Sequence, residues 1–238
     1  MITDVKAKAS QVTPVTTGEA DLDYLKMTKL GALFTANWKQ QLILAGLAWS
    51  AHVGGITASA DILAVVGGGN GTTIDTDQPE LTIGVPAGYF LIPMEAHCAA
   101  YNDPATDNAI TNIVLFADRT MSPVEAAVSA TAVTPVNLLD GGGAFPGTAY
   151  KACSANLSTT PVCSEILDYR CNQLAVVSSA LTLGGHSING LSMDYLPEAP
   201  SILAGPCQIV LCFGGTAATS GMGVIKVACV PSSYFPVS

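Results

Sequence analysis

The apolar residues of this chain come in short bursts separated by clusters of Gly, Pro, Asn and Asp. From Ile56 onward the bursts read as strands. ADILAVV (60–66) ends in the turn cluster GGGNGTT (67–73). ELTIGVP (80–86) alternates, and the turn residues Pro86, Ala87 and Gly88 precede YFLIPMEAHCAAY (89–101). NDPATDN (102–108) is a loop and AITNIVLFADR (109–119) a strong strand, while DGGG (140–143), with Pro146 and Gly147, is another break. NQLAVVSSALTLGG (172–185), PCQIVLCFGG (206–215) and MGVIKVACVP (222–231) are the later strands. Alternating or continuous apolar runs of this length, bounded by turn formers, are what strands look like in sequence.

Helical signals are few. SPVEAAVSA (122–130) is the best short helix, with Ser122 as N-cap and Pro123 at the first helical position. Between Leu22 and Trp49 two readings stay open. Leu22, Leu25, Met27, Leu30, Leu33 and Phe34 fit a helical spacing, but Gly31 and the stretch Thr35 to Gln41 interrupt it; strands with a short helical turn fit equally well. Many short strands without alternating long helices predict an all-β antiparallel sandwich or barrel rather than a βαβ fold. The expected organisation is an extended arm over residues 1–25, rich in Thr, Ser, Lys and Val, followed by one β-sandwich over 26–238.

Composition changes this picture in one respect. Only 11% of the 238 residues are charged, and 49% are hydrophobic. A membrane-spanning helix needs roughly 20 predominantly apolar residues. The most apolar stretch, Leu42 to Trp49, is shorter and is followed by Ser50 and His52. A chain so poor in charge has little with which to cover its surface, so much of that surface is expected to meet further copies of the same chain. The 68 residues from Cys171 to Ser238 hold only Asp194, Glu198 and Lys226 as formal charges, which predicts an inner sheet or a subunit contact there.

Nine cations against eighteen acids give a net charge of −9, which argues against a nucleic-acid surface and against anionic lipid. Five of the cations (Lys6, Lys8, Lys26, Lys29, Lys39) lie in the first 39 residues with four acids (Asp4, Glu19, Asp21, Asp23), so a solvated mixed-charge terminus is the favoured reading and nucleic-acid contact through the N-terminal arm is at most weak. That arm has no apolar core after its lysines and does not read as a secretory signal. Seven cysteines at irregular spacing make a poor disulfide framework, and mostly buried free thiols are expected. Cys153 and Cys163, flanking SANLSTTP, are the pair to check first.

Candidate chemistry is thin. GGGNGTT lacks the Lys-Ser/Thr of a phosphate loop and lies between strands, so it reads as a turn. His186-Ser187 in HSING resembles a nucleophile elbow, but Ile188-Asn189 stands where Gly is required. His97 and Cys98 are adjacent, and strand neighbours point to opposite faces, so they cannot converge. Cys207 and Cys212 lack the second pair that structural zinc needs. Asp75, Asp77 and Glu80, and separately Asp103 and Asp107, offer oxygens for Ca²⁺ without matching an EF-hand loop. The sequons at Asn70 and Asn156 matter only in a secreted eukaryotic protein. No residue is assigned a catalytic, cofactor-binding or metal-binding role, and no cofactor is expected.

One stretch carries a resemblance. DTDQPELTIGVPAGYFLIPMEAHCAAY (75–101) resembles a recurring pattern in virion proteins of environmental bacteriophages, in which a QPEL-x-x-x-VP-x-G segment leads into an IP strand. GALFTANWKQQLILAGLAWSAHVG (31–54) is similar to the strand pair that precedes it, and the cysteines depart from the pattern. The resemblance covers about residues 28 to 119. It implies a jelly-roll-like sandwich in a capsid or other virion structural protein, assembled in the host cytoplasm, whose partners are itself and other virion proteins. The rival expectation is a binding module, lectin-like or for host attachment, using loops 67–79, 102–108 and 140–160.

Overall fold

The computed structural model describes residues 37–56, 62–63, 65–66, 69–70, 74–102, 110–120, 130–153, 160–173, 189–215 and 219–234. The expected arm (1–25), the helix candidate at 122–130 but for its last residue, and the Asp103/Asp107 loop lie outside them.

Nine strands carry the fold: β1 (Ala48–Val53), β2 (Leu81–Val85), β3 (Tyr89–Asn102), β4 (Ile110–Asp118), β5 (Thr148–Lys151), β6 (Glu165–Gln173), β7 (Asn189–Tyr195), β8 (Cys207–Gly215) and β9 (Thr219–Pro231). They form two sheets. The first runs β1-β9-β3-β7, with Val136–Asn137 on the outer edge of β1 and Leu203–Ala204 beside β7 on the edge of β3. The second runs β6-β4-β8-β2-β5, with Thr131–Ala132 beyond β5. All these pairings are antiparallel. The all-β antiparallel sandwich expected from the sequence is what the chain forms.

With β5 set aside, the pairing is nested. β1 pairs with β9, β2 with β8, β3 with β7 and β4 with β6. The first and third of these pairs lie in one sheet and the second and fourth in the other. The Pro86-Ala87-Gly88 turn therefore joins the two sheets rather than closing a hairpin. Gly88 adopts φ +92°, a value that a side chain disfavours, and its carbonyl accepts the Ser232 N–H at 2.9 Å.

Between the sheets lies one core, built on Leu81, Ile83, Leu91, Ile113, Leu115, Met193, Ile209, Leu211, Phe213, Ile225 and Val227, all essentially solvent-free. Trp49 joins it, donating its indole N–H to the Gly143 carbonyl at 3.1 Å and meeting Phe145 edge to face. The outer faces are partly covered too. Helix α1 (Trp38–Leu44) lays Trp38, Leu42 and Ile43 against Ala48, Ile92, Met94, Ala228 and Val230 of the first sheet. On the second sheet Val114, Phe116, Val210 and Cys212 are buried on the outward side, with Ile74 packed against them.

Two expectations need correction. Thr35 to Gln41 was expected to interrupt helical order, yet α1 begins inside it. Asn37 is the N-cap: its side chain accepts the Gln40 N–H at 2.9 Å, and the Gln40 side chain accepts the Asn37 N–H at 3.3 Å. This reciprocal box supplies the nucleus that the apolar spacing lacked. The helix stops at Gly46, which takes φ +70°. The glycine cluster at 67–73 is not simply a turn either, because Gly69–Asn70 runs parallel to Gly214–Gly215 at the end of β8.

Candidate functional site

The sequence candidates are dispersed by the fold. On β3, Cys98 points into the core and His97 to the open part of the first sheet's outer face. His97 Nδ1 lies 2.7 Å from Asp194 Oδ1 on β7 and its Nε2 3.8 Å from Glu95 Oε2. Glu95 in turn accepts from Lys226 of β9. Partial burial pushes the Glu95 carboxyl up, but the Lys226 hydrogen bond and the charges of Lys226, Lys39 and His97 outweigh it and hold it below the usual range. This row of polar contacts stitches three strands together.

The thiols are separated in the same way. Cys207 lies in the core and Cys212 on the outward face of β8, so the two cannot share a metal. Burial pushes the thiols of Cys207 and Cys229 up to about 12, and raises those of Cys98 and Cys212 as well. They stay protonated and behave as apolar groups. All seven cysteines are free: Cys98, Cys153, Cys207, Cys212 and Cys229 are buried, and Cys163 and Cys171 exposed.

Of the acids of 75–80, Asp75 and Glu80 are each engaged locally, while Asp77 Oδ1 is buried without a hydrogen-bond partner. Asp75 Oδ1 accepts the Asp77 N–H at 2.9 Å, a turn contact, while buried Glu80 accepts the Phe213 N–H at 2.7 Å at the end of the sheet. Among the described residues, no group of three or more His, Cys, Asp or Glu side chains could hold a metal ion. His186, Ser187 and Asn156 lie outside the described residues. Among the described residues, no helix is long and apolar enough to cross a membrane.

What sequence reading missed is a surface. Strands β6 and β7 are the edges of their respective sheets on one side of the sandwich. Of the large hydrophobic side chains exposed among the described residues, Val162, Ile166, Tyr169, Leu196 and Ile202 belong to this side. A polar knot ties the end of β4, the start of β6 and the segment before Leu203 together. Arg119 pairs with Glu165, and Ser201 donates to the other oxygen of the same carboxylate. The hydrogen bond from Ser201, then that from Arg119, hold the Glu165 carboxyl below the usual range despite some desolvation. Glu165 also acts electrostatically on Tyr195 of β7, so the knot links the two edge strands.

The same edge is guarded against a further strand. The β6–β4 register shifts between Ile166 and Asp168, a bulge. Asp168 Oδ1 accepts the N–H of Tyr169 at 2.8 Å, and Asp168 Oδ2 pairs with Arg170 at 3.2 Å. Asp168 and Arg170 stand opposite Leu115 and Ile113, the core-facing residues of β4. Bulges and inward charges are standard means of preventing edge-to-edge sheet growth. The surface suits side-chain contact and not strand addition.

No protein-family model matches the chain, and no curated protein matches it either.

Proposed function

We propose that this chain is a viral structural protein whose work is self-association into a capsid or virion shell, and that its sandwich is a jelly roll. The observation that carries the reading is the nested pairing, β1 with β9 inward to β4 with β6, distributed over two facing sheets. That is a long antiparallel double strand folded over on itself into two Greek keys, the arrangement used by capsid domains and by lectins and cupins. Two further features support the shell: the charge fraction is low, and several large apolar side chains near the β6 and β7 edges, among them Ile166, Leu196 and Ile202, are exposed. No residue has a catalytic part in this reading. Contacts are made with other copies and other virion proteins, in a particle put together in the host cytoplasm.

Light scattering coupled to size exclusion, with negative-stain imaging of the leading peak, tests the proposal. Shells or discrete oligomers are expected. A single chain of 24.3 kDa at every concentration overturns it.

A further inference from the structure

We infer that Cys153 and Cys163 form a redox clasp on the outward face of the second sheet, two thiols in the reduced chain and one disulfide after oxidation. The inference stands apart from the self-assembly reading and needs no second copy.

Three observations lead there. The first is where the fold puts the two ends of one loop. The Cys153 N–H donates to the Pro79 carbonyl at 3.2 Å, just beyond the last pair of β5 with β2. On the other flank of the same stretch, the Glu80 N–H donates to the carbonyl of Leu211, the neighbour of Cys212. At the far end of the loop, the Ser164 N–H donates to the carbonyls of Val162 at 2.8 Å and Ala117 at 3.0 Å. The bond to Val162 closes a tight turn centred on Cys163, which swings the chain from buried Pro161 into β6.

The second observation is proximity. Cys153 and Cys163 each act electrostatically on Cys212, which lies solvent-free on the outward side of β8. One buried sulfur has both loop ends close by, so the two ends share a patch. Only nine residues separate them in the chain, and closing so short a loop costs little entropy.

The third is the exclusion of other pairs. Cys153 and Cys212 stand two strand spacings apart, roughly 10 Å, whereas a disulfide joins Cα atoms within about 7 Å. Cys212 is also fixed between β2 and β4 in the middle of the sheet. Cys98, Cys207 and Cys229 belong to the core between the sheets, and Cys171 stands opposite Asn112 toward the far end of β6. Cys163 is exposed, and Cys153 sits past the end of its strand, after Ala152 at φ +54°. These two can meet.

With oxidised glutathione as the oxidant, the Cys163 thiolate attacks one of its sulfurs and releases one reduced glutathione. The Cys153 thiolate then attacks the Cys163 sulfur, displaces the second glutathione and completes the internal disulfide. Two protein thiols are oxidised and one glutathione disulfide is reduced, with both thiol protons ending on the released glutathione. Partial burial raises the Cys163 thiol, so the exchange is slow at neutral pH.

The test incubates the folded full chain with oxidised glutathione at about pH 8.5. Remaining thiols are then alkylated in denaturant, and linked peptides are mapped by mass spectrometry. A Cys153–Cys163 peptide pair is expected, with the far-UV circular dichroism unchanged. Tm should rise by about 5 °C or more and return on reduction. Cys163→Ser should abolish both the link and the rise, whereas Cys171→Ser should keep both. A link from Cys163 to Cys212 or to a second chain overturns the inference. So does glutathione left on Cys163 with Cys153 still open to alkylation, or a link that appears only once the chain has unfolded.

Discussion

At the scale of single residues, the outward face of the second sheet holds two kinds of buried polar group, and they should answer mutation in opposite ways. Asp118 is fully buried and fully engaged: Oδ1 accepts from the Thr120 N–H and hydroxyl at 2.9 and 2.7 Å, and Oδ2 from the Gln208 amide at 2.9 Å. Asp118→Ala strands those donors and should cost about 2–3 kcal/mol in urea unfolding. Thr82 is as buried, but its hydroxyl has no partner. Thr82→Val keeps the shape and removes the unpaired group, so stability should stay level or rise by up to about 1 kcal/mol. Lys226→Met tests the charge row on the first sheet. The Glu95 carboxyl is lowered by Lys226, so that contribution is present above the ordinary carboxyl range and is lost as pH falls through the lowered value. The variant should be slightly less stable than wild type near pH 7, and the gap should close on acidification. A gap that persists at pH 2 to 3 would assign the effect to packing instead. The pairings with Gln208 and Lys226 were not legible beforehand, because these partners lie far along the chain: Asp118 meets Gln208 across ninety positions.

At the scale of elements, legibility tracked position in the sheet. β8 and β9 sit between two neighbours each; β8 is buried on both faces over 207–214 and β9 over 227–230, so the near-continuous apolar runs 206–215 and 222–231 announced them. β2, β3 and β4 were equally plain. The edge strands were not. β6 mixes Glu165, Asp168 and Arg170 with Ile166, Leu167 and Tyr169, and its bulge breaks the alternation that would have betrayed it. β7 reads NGLSMDY, with only Met193 fully buried. An edge strand has one neighbour and one wet side, so its pattern is weak for the same physical reason that its surface is available. Helix α1 was hidden differently: its signal is the Asn37–Gln40 box and not its apolar spacing. Asn37→Ala should cost about 1 kcal/mol, and the helix should fray from the first sheet. Fluorescence of Trp38, which rests on that sheet, reports the fraying directly.

At the scale of the whole molecule, charge poverty has more than one cause. Part of the apolar excess is absorbed within the chain, under α1 on one outer face and along Phe116, Val210 and Cys212 on the other. Of the large apolar side chains that stay exposed among the described residues, Val162, Ile166, Tyr169, Leu196 and Ile202 lie toward the β6 and β7 edges. The thiols give an independent count of that burial. A native chain should react with a thiol reagent at Cys163 and Cys171 within minutes, and at the other five only on unfolding. Fast reaction at more than two sites would contradict the packing described. Deleting residues 1–25 should leave a folded sandwich that assembles poorly, and loss of cooperative unfolding in that variant would count against an arm.

The nested pairing bears on how the chain is made. β8 and β9, the middle strands of the two sheets, both lie beyond residue 206. A nascent chain that has not reached them has neither sheet: β4 and β2 lack the strand between them, and β1 and β3 lack theirs. Closure of the sandwich must wait until β8 and β9 have been made, and the long sequence separation of the pairs makes it slow. A prematurely terminated polypeptide cannot present the β6–β7 side in its native form. Synthesis of β8 and β9 thus acts as a proofreading step for the fold, since no sandwich closes without them.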